Sequence, residues 1–359
     1  AMGNPLPGQP RIGFNGFWGT DFNGNNSARG VGQLRGLFSY RNQGVAVATI
    51  DAGSEVVAVP ITPTPNPSDP LDPANFELVR GWRLLEFGAN QSVNVSATNS
   101  SSIDALVGGA AAAVSGGMVA VSGAVGLAIS RNLIGTGDAG AQETNAYIEN
   151  ASVIASGDIA IESSAAEIIE ADVFAGSVAI AVGIGGAVAG AGAALINDIS
   201  SDVQAFARDS DLGAMGDIDV VATSSTQILR AQALGVAVSA SLGAASLAVS
   251  FVENTIENDV DAFISSTGAD DLISADGDLT ILADVTHASI VTAAETASVS
   301  AGLVGLSGGG IDISNVVRNS VDADLIGNLI VNTAGDIEVK AHENAYLSAE
   351  ALSIAASFS

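Results

Sequence analysis

Val173-Phe-Ala-Gly-Ser-Val-Ala-Ile-Ala-Val-Gly-Ile-Gly-Gly-Ala-Val-Ala-Gly-Ala-Gly-Ala-Ala-Leu-Ile196 runs for 24 residues without a charge, and its reading decides the fold. By length it meets the ~20-residue criterion for a membrane-spanning helix. Its side-chain order says otherwise. Val178, Ile180, Val182 and Ile184 alternate with Ala179, Ala181, Gly183 and Gly185, and large against small at a period of two marks a β-strand. Six glycines in the stretch would cost a helix roughly 1 kcal/mol each against alanine. Uncharged runs over residues 105–130 and 231–252 have the same character, Val119, Val121, Val125, Leu127 and Ile129 being interleaved with Ala, Ser and Gly. The expectation is strands with no membrane span. The large face (Val178, Ile180, Val236, Val238, Leu279, Ile281) is expected to point into a dry interior, and the Ala/Gly face to permit close backbone layers.

These runs recur because the chain is a repeat. Gly157-Asp158, Gly216-Asp217, Gly277-Asp278 and Gly335-Asp336 each open a short alternating apolar run, at spacings of 59, 61 and 58 residues. A second anchor travels with them: Asn197, Asn254 and Asn315 each precede a phrase of the form Val203-Gln-Ala-Phe-Ala, Val260-Asp-Ala-Phe-Ile or Val321-Asp-Ala-Asp-Leu. Each unit reads as strands divided by Gly, Ser, Asn and Asp breaks. The fold expected is all-β: a repetitive parallel β-solenoid, or β-helix, of ~60-residue repeats starting near residues 91, 157, 216, 277 and 335, each unit giving two or three coils of about 20 to 30 residues. Long hairpins laid side by side are the alternative, since a Gly break also serves as a hairpin turn. The chain opens on Ala-Met-Gly with no signal peptide and ends at Ser359 a few residues into a phrase that elsewhere continues, which reads as a piece of something longer.

Residues 1–90 differ in kind. All nine prolines lie at or before Pro73, as fits a downstream region whose backbone N–H groups are needed for ladders. Residues 1–90 hold six of the eleven Arg/Lys and seven acids, a net of −1, whereas the remainder has 32 acids against five bases, a net of −27. The stretch from Phe14 to Tyr40 is dense in Gly, Asn and aromatics, residues 60–73 form a Pro-rich loop, and Arg80-Gly-Trp-Arg-Leu-Leu-Glu-Phe is placed to cover the array's open end. Residues 1–90 are thus an N-terminal β-rich capping region and residues 91–359 the array, the last unit truncated.

An acidic excess of this size excludes binding to nucleic acid through a basic patch. Absence of cysteine removes disulfides and thiolate metal sites. The repeated Gly-Asp reads as a turn, and the asparagines (Asn258 and Asn319 included) as rungs bonding from coil to coil. Asp270, Asp271, Asp276 and Asp278 are the candidate Ca2+ ligands, on charge density alone. Carboxylate pairs such as Asp259/Asp261 are the type that performs glycosidase chemistry on β-helices. His287 and His342, the two histidines, lie in different units. No nucleophile elbow, Walker loop or dinucleotide fingerprint is present, and no catalytic or cofactor-binding residue is assigned.

The phrase Gly-Asp-Leu-Thr-Ile-Leu-Ala, with the Val/Ala/Gly/Ser strand pair and Glu-Asn-Thr-Ile-Glu-Asn-Asp-Val-Asp-Ala-Phe-Ile, resembles the repeats of large exported bacterial adhesins, the leukotoxin-type filamentous adhesin family. The resemblance spans residues 91–359 and implies an extracellular or cell-surface filament that attaches to a host or matrix surface, or end to end to other copies of itself, without enzymatic activity. Two alternatives stand beside it: a β-helical module binding or degrading polysaccharide, and a β-rich tube or pore whose faces meet lipid.

Overall fold

The computed structural model describes residues 92–135, 140–268 and 270–359 in full and, for their backbone only, residues 15–21, 27–42, 46–50, 55–58 and 269. The protein is an all-β parallel stack with no helix among the described residues. Its strands are β1 (Asn15–Asp21), β2 (Ser27–Asn42), β3 (Ala46–Ile50), β4 (Glu55–Ala58), β5 (Val93–Ile134), β6 (Gln142–Glu149), β7 (Ser152–Ala155), β8 (Ile159–Arg208), β9 (Asp211–Ala214), β10 (Ile218–Ala240), β11 (Gly243–Ala275), β12 (Leu279–Ala301), β13 (Val304–Thr333) and β14 (Ile337–Phe358).

The register fixes the coil. Ile159 pairs with Ile218, Ile218 with Leu279 and Leu279 with Ile337, all parallel, so each step up the stack advances the chain by one whole repeat. One repeat is therefore one coil, not two or three small ones. Nor are the units hairpins, because the Gly breaks are bends at which the chain folds back without backbone pairing between its two arms. Residues 218–240 run out along one broad face (face A) and residues 243–265 return along another (face B), the two meeting through side chains: Thr226 Oγ1 bonds Asn258 Oδ1 at 2.7 Å, and the Ser246 and Ser298 hydroxyls meet at 2.8 Å. A short third side, made by β7, β9 and the last residues of β11 and β13, closes each coil before the next Gly-Asp.

The solenoid does not begin at residue 91. β2 pairs in parallel with residues 119–134, β3 with β6 and β4 with β7, so the backbone of residues 27–42, 46–50 and 55–58 forms part of a preceding coil. β1 then pairs antiparallel on the far side of β2, which ends the parallel run on face B. The Pro-rich loop and the Arg80-to-Phe87 segment lie outside the described residues. At the other end, among the described residues, β13 pairs as a strand only with β11 and β14 only with β12.

The core tapers. Near the third side the two faces are held apart by large aliphatics, among them Ile159, Ile161, Ile218, Val260, Ile264 and Leu279, all at most 1% exposed. Toward the bend the interior is Ala, Ser and Gly, with Ala120, Ala179, Ala187 and Ala237 fully buried. Here the sheets touch almost backbone to backbone: a Cβ on Gly126 would collide with the carbonyl oxygen of Gly176 on the opposite face. The expected facing is therefore reversed in this half. Leu279 and Ile281 point in, but Val178 is 39%, Val182 64% and Ile184 72% exposed, and Ile180, Val236 and Val238 are half-buried on the outside. The thin half of each coil is a fin, small inside and aliphatic outside.

The Gly-Asp turn has a specific cause. Asp158 Oδ1 accepts the N–H of Asp217 (3.1 Å), Asp217 Oδ1 that of Asp278 (2.8 Å) and Asp278 Oδ1 that of Asp336 (2.8 Å). Each carboxylate lies where a Cβ on the next coil's glycine would stand, Asp158 against Gly216, Asp217 against Gly277, Asp278 against Gly335. Glycine in one coil leaves room for the aspartate of the coil before it. Gly277→Ala is expected to push the Asp217 carboxylate off its bond at a cost of about 1–2 kcal/mol. Asp217→Ala should cost a similar amount, and the double variant clearly less than the sum, since the collision partner is gone. Additive losses in denaturant melts would contradict the coupling.

Candidate functional site

Inside the stack, polar side chains form rungs. Asn132 Nδ2 donates to Asn197 Oδ1 (2.7 Å), Asn197 to Asn254 (2.8 Å) and Asn254 to Asn315 (2.8 Å), all inward on face B. Asn258 donates likewise to Asn319 at 2.9 Å. These amides satisfy one another within the wall and present nothing to a ligand.

Glu167, fully buried on face A, accepts a bond from Ser201 Oγ at 3.1 Å through one oxygen, the other having no partner. Burial pushes its carboxyl up to about 7, against the lesser pull of Ser201. Native Glu167 keeps its proton up to that pH, while in the unfolded chain it ionises above 4.5. The native state thus binds more protons across this window, and stability falls as pH rises through it. Glu167→Gln is expected to stabilise the protein at pH 8 by about 3 kcal/mol, each tenfold change in proton affinity being worth about 1.4 kcal/mol, and to change little at pH 4. Burial also raises Asp198, Asp202 and Asp219, so wild type should melt higher at pH 5 than at pH 8. Urea midpoints of both proteins at the three pH values check this, and a variant whose gain over wild type is no larger at pH 8 than at pH 4 would contradict it.

The candidate site lies on the outside of face B. The rings of Tyr147, Phe206 and Phe263 stack at 4.8 Å spacing, within 3° of parallel. Arg208 lies over Phe206 and Phe263 (4.8 and 5.6 Å to the centroids) and bonds Glu149 at 3.2 Å. In the next coil the column holds Asp324 in place of an aromatic. The Phe263 ring is therefore uncovered on that side, and a groove of about 320 Å³ opens between it, Asp261, Ser265, Asp322, Asp324 and Ile326. Partial burial, then the charges of Asp259, Asp322, Asp202 and Asp324, raise Asp261 to about 6. An apolar ring beside carboxylates, one of which holds its proton up to about pH 6, suits a hydroxyl-rich or cationic ligand. A sequence signal for this stack exists: Tyr147, Phe206 and Phe263 are spaced at the repeat period, and Val321-Asp-Ala-Asp shows the aromatic replaced.

The other predicted residues stay apart from this groove, except that Asp259 flanks Asp261. Asp270 and Asp276 are exposed; Asp271 follows an irregularity in β11, and Asp278 is committed to its turn bond with Asp336. Among the described residues no three His, Cys, Asp or Glu side chains converge to hold a metal ion. His342 Nδ1 meets Asp284 Oδ1 at 2.8 Å on the surface, and His287 is exposed at a register shift of β12. Comparison with known proteins found no matching family model, curated protein or solved structure.

Proposed function

We propose that the chain is a non-enzymatic structural and adhesive segment of a large bacterial cell-surface or secreted filament, in the manner of the filamentous adhesins its repeats resemble. The observation that carries this reading is the one-repeat-per-coil stack, in which each coil is paired in register on the one before it. The asparagine ladder runs in one direction, each amide donating to the carbonyl of the next coil, and the Asn315 amide is its leading donor at the β13 edge. Such an edge extends by adding another coil of the same kind, from the same polypeptide or from a second copy end to end. An outer wall made of repeats offers a host or matrix surface many equivalent contacts. Beads carrying the full chain should be retained under flow on matrix-coated glass and washed from bare glass. Equal loss from both surfaces would contradict adhesion.

The groove beside Phe263 favours a second reading, a module that binds or degrades polysaccharide. On that reading the full chain retards in gels cast with the polysaccharide, or releases reducing ends from it, and Asp322→Asn abolishes the effect. Neither retardation nor release across acidic, neutral and amino polysaccharides would remove it.

A further inference from the structure

The outer surface of face B near the bend carries no Asp, Glu, Lys or Arg over residues 119–130, 186–196, 243–252 and 304–311, yet it is bare and shaped. Val125 and Leu127 in one coil stand in register with Gly190 and Gly192 in the next, these with Leu247 and Val249, and these with Gly308 and Gly310. Ridge and groove alternate from coil to coil. Leu127 leans over Gly192, where an added Cβ would stand 2.8 Å from its Cδ2, and Leu247 reaches over Gly308 at ordinary contact distance, but Val125, Leu247 and Val249 remain 41%, 54% and 42% exposed.

We infer that this surface is a lateral interface between two copies of the chain. A second copy, turned about a twofold axis parallel to the strands and lying between the β8 and β11 coils, sets Val125 against Gly308 and Leu127 against Gly310. The same turn sets Leu247 against Gly190 and Val249 against Gly192. Over these two rows the surface is complementary to itself, as an isologous contact requires, while the row nearer the bend sets Val121 against Val304. Its footprint, about 11 residues at ~3.3 Å by four strands at ~4.8 Å, is roughly 700 Å² on each copy, near the ~800 Å² per partner of a standard interface. A lipid bilayer is the poorer occupant, because Asp202 and Asp259 stand farther along the same face and carboxylates are costly to place in hydrocarbon. Charge bounds the contact: Asp202 and Asp259 farther along face B oppose their counterparts across the same axis, so association strengthens as salt screens them.

This interface is distinct from end-to-end stacking and is tested on the full chain. Sedimentation velocity should show a monomer–dimer equilibrium that tightens from 0.05 to about 0.5 M salt over this screening range. Leu247→Glu should weaken it at least tenfold while leaving the melting temperature unchanged, whereas end-to-end association leaves Leu247 untouched. The chain has no cysteine, so Gly190→Cys and Leu247→Cys made separately and mixed report the facing directly. The mixture should form disulfide-linked heterodimers well beyond what either variant forms alone, and stacked ends hold these positions far apart. A monomer at every concentration and salt, a Leu247→Glu protein that associates like wild type, or a wild-type monomer that floats with neutral phospholipid vesicles would each overturn the proposal.

Discussion

Ala179→Asp should destabilise the protein by about 4 kcal/mol or more, while Val178→Asp, one residue earlier, should cost about 1 kcal/mol or less. The two side chains leave the same strand in opposite directions. Ala179 is fully buried between faces whose backbones nearly touch, whereas Val178 is 39% exposed on the outside of the fin. A carboxylate at 179 has no room, no partner and no water, and the sheets cannot part locally without breaking ladders to the coils on either side. At 178 it extends into solvent, losing only the contacts of one valine in an aliphatic column. Denaturant midpoints measure the contrast. Equal losses, or a greater loss at 178, would mean that the large face is the interior after all.

Asn254→Leu should cost about 3 kcal/mol, since an unsatisfied buried polar group costs 1–3 kcal/mol and this change strands more than one. Asn254 is fully buried, accepts from Asn197, and donates to Asn315 and to Thr292 Oγ1 at 2.7 Å. Leucine keeps the volume but leaves the Asn197 amide without its acceptor in the middle of the wall. Asn315→Leu, at the open edge, should cost no more than half as much because water reaches that end of the ladder. Amide exchange read coil by coil would separate the two, with opening centred on residues 197–254 for the first and on residues 315–333 for the second. Similar, small losses for both would show that the ladder is not cooperative.

The strand class, the parallel stacking and the period were legible because each rests on local pattern: alternation, glycine content and the recurrence of Gly-Asp. The facing was misread because burial of large side chains is the usual rule for a strand, and here the rule holds for only half of each coil. The correction was present in the sequence. Ile159 and Ile161 after Gly157-Asp158 fix odd positions as inward, and the same parity carried along β8 puts Ala175, Ala179 and Ala181 inside and Val178, Ile180 and Val182 outside. In the next coil a register shift between Ile228 and Arg230 changes the parity, which alternation alone does not reveal. The number of coils per unit was misjudged for a related reason: a bend that folds one face over the other looks, in sequence, like the corner of a small coil. The groove beside Phe263 escaped because its parts belong to different coils and become neighbours only when the repeats are laid in register.

The measurement that bears most directly on the fold is a pair of engineered disulfides in the full chain. Ser164 and Thr223, 59 residues apart, are register partners on neighbouring strands, within the ~4.4–6.8 Å Cα range that a disulfide bridges. Ser164 and Gly190 would be neighbours only if coils were about 20 to 30 residues long, and here they stand on opposite faces. One coil per repeat predicts that Ser164→Cys/Thr223→Cys oxidises to an intramolecular bridge with native melting behaviour, while Ser164→Cys/Gly190→Cys keeps both thiols free within the monomer. A bridge in the second pair and none in the first would contradict the stack described here.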